Sequence, residues 1–225
     1  MSPLLPAYIH IVKPGLKNTY LSFDEEGNLV IKSPKVSQRY IEQLLLKKAA
    51  WINRSREKIL NKKGRVPDFC KQSVLCFLGD EISLILVPHE KKRTSLTLDR
   101  QKGFRIFYNH YDKTAFLRQI DAFYRQEAEH LIPPIVEHYA KQMRLSPSGI
   151  RFRKTKRQWG SCSGQNILSF NTMLMKLPLE VIKYVVVHEL AHIRHKHHQK
   201  AFWDLVEAYI PDYKVRIEIL HTYTT

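Results

Sequence analysis

Pro178-Leu179-Glu180-Val181-Ile182-Lys183-Tyr184-Val185-Val186-Val187-His188-Glu189-Leu190-Ala191-His192-Ile193-Arg194-His195 is the stretch from which the rest of the chain is read, and it reads as one helix. Proline suits a first helical position, where its missing N–H would have no partner anyway, and Glu180 places negative charge in the first turn. The helix is expected to run to about His195. Within it His188 and His192 stand at i and i+4, about 40° apart around the axis and ~6 Å along it, so both imidazoles can converge on one Zn²⁺. Glu189 lies ~100° around the helix, beside such an ion without being an obvious ligand, where it can take a proton from an activated water. The helical context and the five histidines between residues 188 and 198 raise this His-Glu-x-x-His pattern above a chance match.

A third ligand is sought among His195, His197, His198 and Glu207. His195 is on the right face of a continuing helix, but seven residues put it ~10 Å along the axis from His188, which strains a shared tetrahedral site and favours a neighbouring role. If the helix ends near His195, Lys196-His197 can turn the chain and return His198 to the open side of the ion, leaving one position for water. Glu207 would make a His/His/Glu site instead, or is simply a solvated helix carboxylate.

Upstream, Arg151 to Thr155 and Ile167 to Phe170 read as strands, joined through the small residues of Gln158-Trp159-Gly160-Ser161-Cys162-Ser163-Gly164-Gln165-Asn166. Trp159 to Ser163 is either an edge beside the metal that aligns substrate or a tight turn with Trp159 in the core. Cys162 is expected to be a small buried residue rather than a nucleophile or ligand, because a catalytic zinc keeps its fourth position open. Tyr184, one turn before His188, is expected to pack in the core. Phe202 and Trp203 are expected to pack behind the turn and hold His198. Lys113 to Leu145 is helical, with Pro133-Pro134 expected to split it into two helices.

Further towards the N-terminus, Tyr8 to Val12, Thr19 to Phe23 and Leu29 to Lys32 read as strands of a hairpin or meander around the turn Asp24-Glu25-Glu26-Gly27-Asn28. From Val36 or Ser37, Ile41, Leu44, Leu45, Ala49, Ile52 and Ile59 recur at helical spacing with Lys and Arg between them. Val74 to Leu78, Ile82 to Val87, Thr94 to Leu98 and Phe104 to Tyr108 are further short strands.

The chain has 225 residues, 44% of them hydrophobic, with only 8 Gly, which describes a packed globular protein. No apolar run approaches the ~20 residues of a membrane span. Met1-Ser2-Pro3-Leu4-Leu5-Pro6 lacks a basic secretory n-region, and Cys70, Cys76 and Cys162 form no disulfide or zinc-knuckle pattern, so a cytoplasmic location is expected. Against 21 Asp and Glu stand 37 Lys and Arg, a net +16, shared between residues 1–110 (20 against 10) and 111–225 (17 against 11). The excess is no mere tail. It favours polyanions, and Arg151-x-Arg153-Lys154-x-Lys156-Arg157, close to the Trp159 loop, marks a candidate surface for nucleic acid or a nucleotide.

Taken together, Trp159-Gly160-Ser161-Cys162-Ser163, Phe170-Asn171, Pro178, the Tyr184 to His192 run, and His198 with Phe202-Trp203 resemble the YgjP-like metallopeptidase domain, akin to the SprT-like and WLM zinc proteases. The N-terminal hairpin, the basic helix through Lys47 to Trp51-Ile52, and Phe77-Leu78-Gly79 extend the resemblance over nearly the whole chain. It implies His188, His192 and His198 as zinc ligands and Glu189 as general base. One departure is His197, where asparagine is expected in the turn; histidine tolerates left-handed backbone geometry well enough to keep it. The expected fold is α+β, with a β-rich region over 1–110 carrying one basic helix and a zincin-like catalytic domain with a small sheet over 111–225. The expected function is zinc-dependent hydrolysis of a polypeptide. A metal-dependent nucleotide (phosphoanhydride) hydrolase is the rival, disfavoured by the lack of a P-loop or a carboxylate-rich Mg²⁺ site. A nucleic-acid-associated module with structural zinc would have no need of Glu189 between its ligands.

Overall fold

The computed structural model describes residues 6–24, 27–71, 73–99 and 101–225. Met1 to Leu5, read above for a secretory signal, and the turn residues Glu25 and Glu26 lie outside the described residues. The chain is α+β and divides into two compact units, Met1–Val66 and Pro67–Thr225.

In the first unit, β1 (Tyr8–Val12), β2 (Tyr20–Phe23) and β3 (Leu29–Ser33) form a sheet in the order β1-β3-β2. β2 and β3 pair as the expected antiparallel hairpin, but β1 runs parallel to β3 on its other edge, so the three strands are not a meander. Helix α1 (Gln38–Leu60) starts at Ser37, whose hydroxyl accepts the Tyr40 N–H and so satisfies one orphan donor of the first turn. Period 3.6 on α1 meets period 2 on β3: Ile41, Leu45 and Ile52 close over Leu29 and Ile31 in one small core.

In the second unit, β4 (Ser73–Phe77), β5 (Asp80–Pro88), β6 (Ser95–Asp99) and β7 (Gly103–Tyr108) form a sheet in the order β4-β5-β7-β6, with β5 and β7 parallel. Phe104 and Ile106 of β7 share one buried cluster with Phe116, Ile120 and Tyr124 of helix α2 (Lys113–Met143). Residues 67–110 therefore belong to the same compact unit as the downstream helices.

α2 is one continuous helix of 31 residues, not two, with both prolines inside it. A single stripe of buried residues, Phe116, Ile120, Tyr124, Ala128, Ile132, Val136, Ala140 and Met143, runs straight through the proline pair. Breaking the helix would expose half of that stripe. The carbonyls that lose a donor to Pro133 and Pro134 belong to Glu129 and His130, both exposed, where water can satisfy them.

A second sheet follows, in the order β8-β10-β9, from β8 (Gly149–Arg153), β9 (Gly160–Cys162) and β10 (Ile167–Asn171). A 3-10 turn over Thr172–Lys176 leads to α3 (Leu179–Arg194), then α4 (Lys200–Tyr209) and α5 (Tyr213–His221). Pro178 is the residue just before α3 rather than its first helical position. Its placement depends on the hairpin loop Leu78-Gly79, where both residues have positive φ (50° and 96°), the backbone of a tight two-residue β turn. The loop donates Leu78 N–H to Met175 O (2.8 Å) and Gly79 N–H to Lys176 O (3.2 Å), and a Cβ on Gly79 would stand 3.1 Å from Pro178 Cα. The turn geometry and the close approach both call for glycine there.

Gly79→Ala is accordingly expected to destabilise the fold by about 1–3 kcal/mol, read as a lower denaturant midpoint with an unchanged slope. A midpoint equal to the wild type would show that the approach of the hairpin to Pro178 carries no stability.

Candidate metal centre

α3 is buried along Val181, Ile182, Val185, Val186, Leu190 and Ala191, and this leaves His188 and His192 half-buried on its open side. The helix stops at Arg194, with His195 extended and its N–H closing on Ala191 O. His197 follows without left-handed backbone, so the turn does not draw on the tolerance expected of histidine there. Its carbonyl accepts the Gln199 N–H (2.8 Å), and α4 begins one residue later.

This short turn returns His198 to the two helical histidines. One ring nitrogen from each of His188, His192 and His198 lies within 4.8 Å of the others, and the two Nε2 atoms of His188 and His198 are 3.1 Å apart. The edge of a tetrahedral site with 2.0–2.1 Å metal–nitrogen bonds is about 3.3 Å, so these nitrogens stand at nearly the separation of two ligands of one ion. The other nitrogens are engaged away from the cluster. His192 Nδ1 is 3.1 Å from the carbonyl of His195, and His188 Nδ1 is 3.3 Å from the hydroxyl of Tyr184. Partners of this kind set the tautomer that leaves Nε2 free to ligate. Burial, then the neighbouring His192 and His198, push His188 down to about 3, and burial likewise lowers His192. Burial thus disfavours the protonated form of both rings, and the neutral form is the one a metal needs.

Phe202 backs the whole cluster, with its ring 4.9, 4.6 and 4.7 Å from those of His188, His192 and His198. Trp203 stacks on His198 at 5.7 Å, and Tyr213 stacks on the other side of Trp203 at 5.2 Å. The exposed His198 is therefore held by aromatic packing from α4, as its Phe-Trp pair suggested. Glu207, also on α4, and His197 are exposed and outside the cluster, and the half-buried His195 lies outside it too.

Glu189 is buried, only 6% exposed. Its carboxylate makes no hydrogen bond or ion pair among the described residues, and burial pushes its pKa up to about 8. What it meets is β9. A Cβ added to Gly160 would lie 2.6 Å from Glu189 Oε1 and 2.7 Å from its Cγ, so the Glu189 side chain occupies the space that any larger residue at 160 would need. Sequence reasoning missed this contact; its only signal was the run of small residues after Trp159. Trp159 itself is half-buried against the core, and Cys162 is an intermediate residue whose thiol burial pushes up, the opposite of an activated nucleophile. Tyr184 is buried as expected, but its hydroxyl also reaches His188.

A family model for the YgjP-like metallopeptidase domain matches residues 17–223. The chain belongs to the YgjP-like metallopeptidase family. Its membership implies a hydrolase with a metal cofactor, and the His188/His192/His198 cluster has the donors and spacing to hold one. Two solved structures are similar over part of the chain. The metallopeptidase zymogen of Pyrococcus abyssi abylysin is 22% identical, with a TM-score of 0.39, covering 41% of this chain and 93% of that one. The metallopeptidase zymogen of Methanocaldococcus jannaschii jannalysin is also 22% identical, with a TM-score of 0.35, covering 39% of this chain and 93% of that one. No curated protein matches this chain.

Proposed function

We propose that this YgjP-like metallopeptidase is a zinc enzyme that hydrolyses peptide bonds, with His188, His192 and His198 holding the ion and Glu189 acting as general base. The observation that carries the reading is the pairing of three converging imidazoles with the buried carboxyl group of Glu189, which has no hydrogen-bond or ion-pair partner among the described residues. Three nitrogen donors are the usual protein complement of a catalytic zinc site, and a structural site would enlist a fourth residue. When bound, zinc supplies a Lewis acid that polarises the scissile carbonyl and acidifies water.

The residues of the chain do the rest. Burial makes Glu189 a stronger base than a solvated carboxylate, and in its ionised form, which the charge of a bound zinc would favour, it takes the proton from the attacking water. The same carboxyl group then delivers that proton to the leaving amine. Gly160 keeps Glu189 in place by leaving it room, and Tyr184 orients the ring of His188 through Nδ1. Phe202 and Trp203 hold His198 in register with the other two rings.

The metal test is direct. His188→Ala, His192→Ala and His198→Ala are each expected to lose near-stoichiometric zinc by mass spectrometry, while Glu207→Ala keeps it. Zinc retained by all three histidine variants would move the site elsewhere.

Glu189→Gln separates chemistry from metal binding, because it keeps size but cannot accept a proton. Zinc content is expected to match the wild type, while the rate on an unfolded polypeptide falls by ~10²–10⁴-fold. A zinc-loaded variant with wild-type turnover would refute the general-base role. Gly160→Ala gives an independent check: the flexible Glu189 side chain must yield to the new methyl group, so kcat is expected to fall by at least about tenfold with zinc content unchanged. Unaltered kcat would mean that β9 does not position the base.

A further inference from the structure

Half of the +16 charge lies in the first 66 residues, which hold 13 Lys and Arg against 5 Asp and Glu. Helix α1 concentrates it, with Arg39, Lys47, Lys48, Arg54, Arg56 and Lys58 set against Glu42 and Glu57. At 100° per residue its buried residues Ile41, Leu45 and Ile52 share one sector, and Arg39, Lys47, Arg54 and Lys58 lie on the opposite side, spread over ~100° of arc and ~28 Å of length. All four are exposed. None of them takes part in an ion pair among the described residues; the single polar contact is Arg54 Nε donating to Ala50 O at 3.3 Å.

The basic run near β8, which stands out more in the sequence, is different. Lys154 is held by both oxygens of Asp121 at 2.7 Å, Arg153 donates to Ser169 Oγ at 2.6 Å, and nearby Arg125 is paired with Glu129 at 2.8 Å. Much of its charge is engaged locally, whereas the four cations of the α1 stripe, with Glu57 at its edge, form no ion pair among the described residues.

A straight rod with a line of free cations is complementary to a stiff, linear, densely charged anion. A nucleic-acid duplex carries one negative charge per ~1.7 Å of axis, and its major groove, ~12 Å wide, admits a helix. An anionic membrane fits less well. The apolar sector that an interfacial helix would insert is already spent on β3, and the exposed Leu46 and Trp51 flank the cationic stripe on its two sides instead of forming a face. A single strand needs a succession of free aromatic platforms, whereas on α1 the Trp51 ring lies tilted against Phe23 at 5.9 Å and the exposed Tyr40, at the start of the helix, offers a single platform.

We propose that the solvent face of α1 is a binding surface for the phosphate backbone of duplex nucleic acid, engaged through Arg39, Lys47, Arg54 and Lys58 without reading base sequence. Neutralising about four phosphates gives a slope of about −3.6 in log affinity against log salt, so binding weakens by ~10²-fold between 50 and 200 mM salt.

The experiment measures fluorescence anisotropy of a mixed-sequence 30-base-pair DNA duplex with the full chain across that salt range. Parallel probes are the single strand of the same sequence and phosphatidylserine vesicles. The variant Lys47→Glu/Arg54→Glu/Lys58→Glu is expected to bind at least about 100-fold more weakly and to flatten the salt slope by about 3, while Arg151→Glu/Arg157→Glu costs only a few fold. Lys47→Gln/Arg54→Gln/Lys58→Gln, at the same solvent positions, is expected to keep the wild-type unfolding temperature with an intermediate loss of affinity, and it carries the test should the reversal unfold the protein. The proposal is overturned by absence of duplex binding at 50 mM salt, by wild-type affinity in the α1 variants, by a loss that follows Arg151 and Arg157 instead, or by tighter binding to the vesicles or the single strand. Binding is read without hydrolysis, so its outcome is separate from that of the peptidase reading.

Discussion

Helix α3 must bury a carboxylate on one side and hold two imidazoles half-open on another, and the second unit is arranged around that demand. Burying a carboxylate without a partner costs several kcal/mol. Each fully buried aliphatic side chain returns roughly 1.5–3 kcal/mol, and Val181, Ile182, Val185, Val186 and Leu190 of α3 are all 3% exposed or less. The same helix therefore offsets the cost of Glu189 with its own core face. β9 can approach this helix only because Gly160 lacks a side chain, and the start of the helix is set by the close approach of Gly79 to Pro178. Two glycines, from two different sheets, thus mark where backbone must come close to position one helix.

The histidine cluster is built by a different device. Its histidines come from one helix and from the turn after it, and neither element alone would hold three rings at a common distance. The rings are fixed by packing and by their second nitrogens. Phe202 touches all three, Trp203 is sandwiched between His198 and Tyr213, and the outward nitrogens of His188 and His192 meet Tyr184 and the His195 carbonyl. Such support limits the freedom of each donor before a ligand arrives, and burial disfavours the protonated form of His188 and His192. Glu189, one residue along from His188, lies about 100° around the helix and is more deeply buried than its neighbour.

The distribution of charge follows the same logic of engagement. Sequence counts treat every Lys and Arg alike, but Lys154 and Arg216 are held by carboxylates while the outer stripe of α1 is not. Only the free charges contribute a long-range field of full strength, since a paired cation and its carboxylate largely cancel beyond a few ångströms.

The sequence by itself determined the features whose cause is local. The course of α3, its end near His195, the i, i+4 placement of His188 and His192, the amphipathic α1 and the β2–β3 hairpin all follow from periodicity, proline placement and turn residues within a window of some twenty positions. The resemblance carried by Trp159-Gly160-Ser161 through Trp203 named the family, and the family model bears it out. What the sequence left open were contacts between segments far apart in the chain. The parallel seat of β1, the unbroken α2 and the grouping of residues 67–110 with the later helices were decided by tertiary burial, which carried α2 as one helix through Pro133-Pro134 because one apolar stripe spans both sides. The Gly160–Glu189 and Gly79–Pro178 approaches belong to the same class: a glycine's meaning lies in what stands against it, and that neighbour is fixed only when the two segments pack.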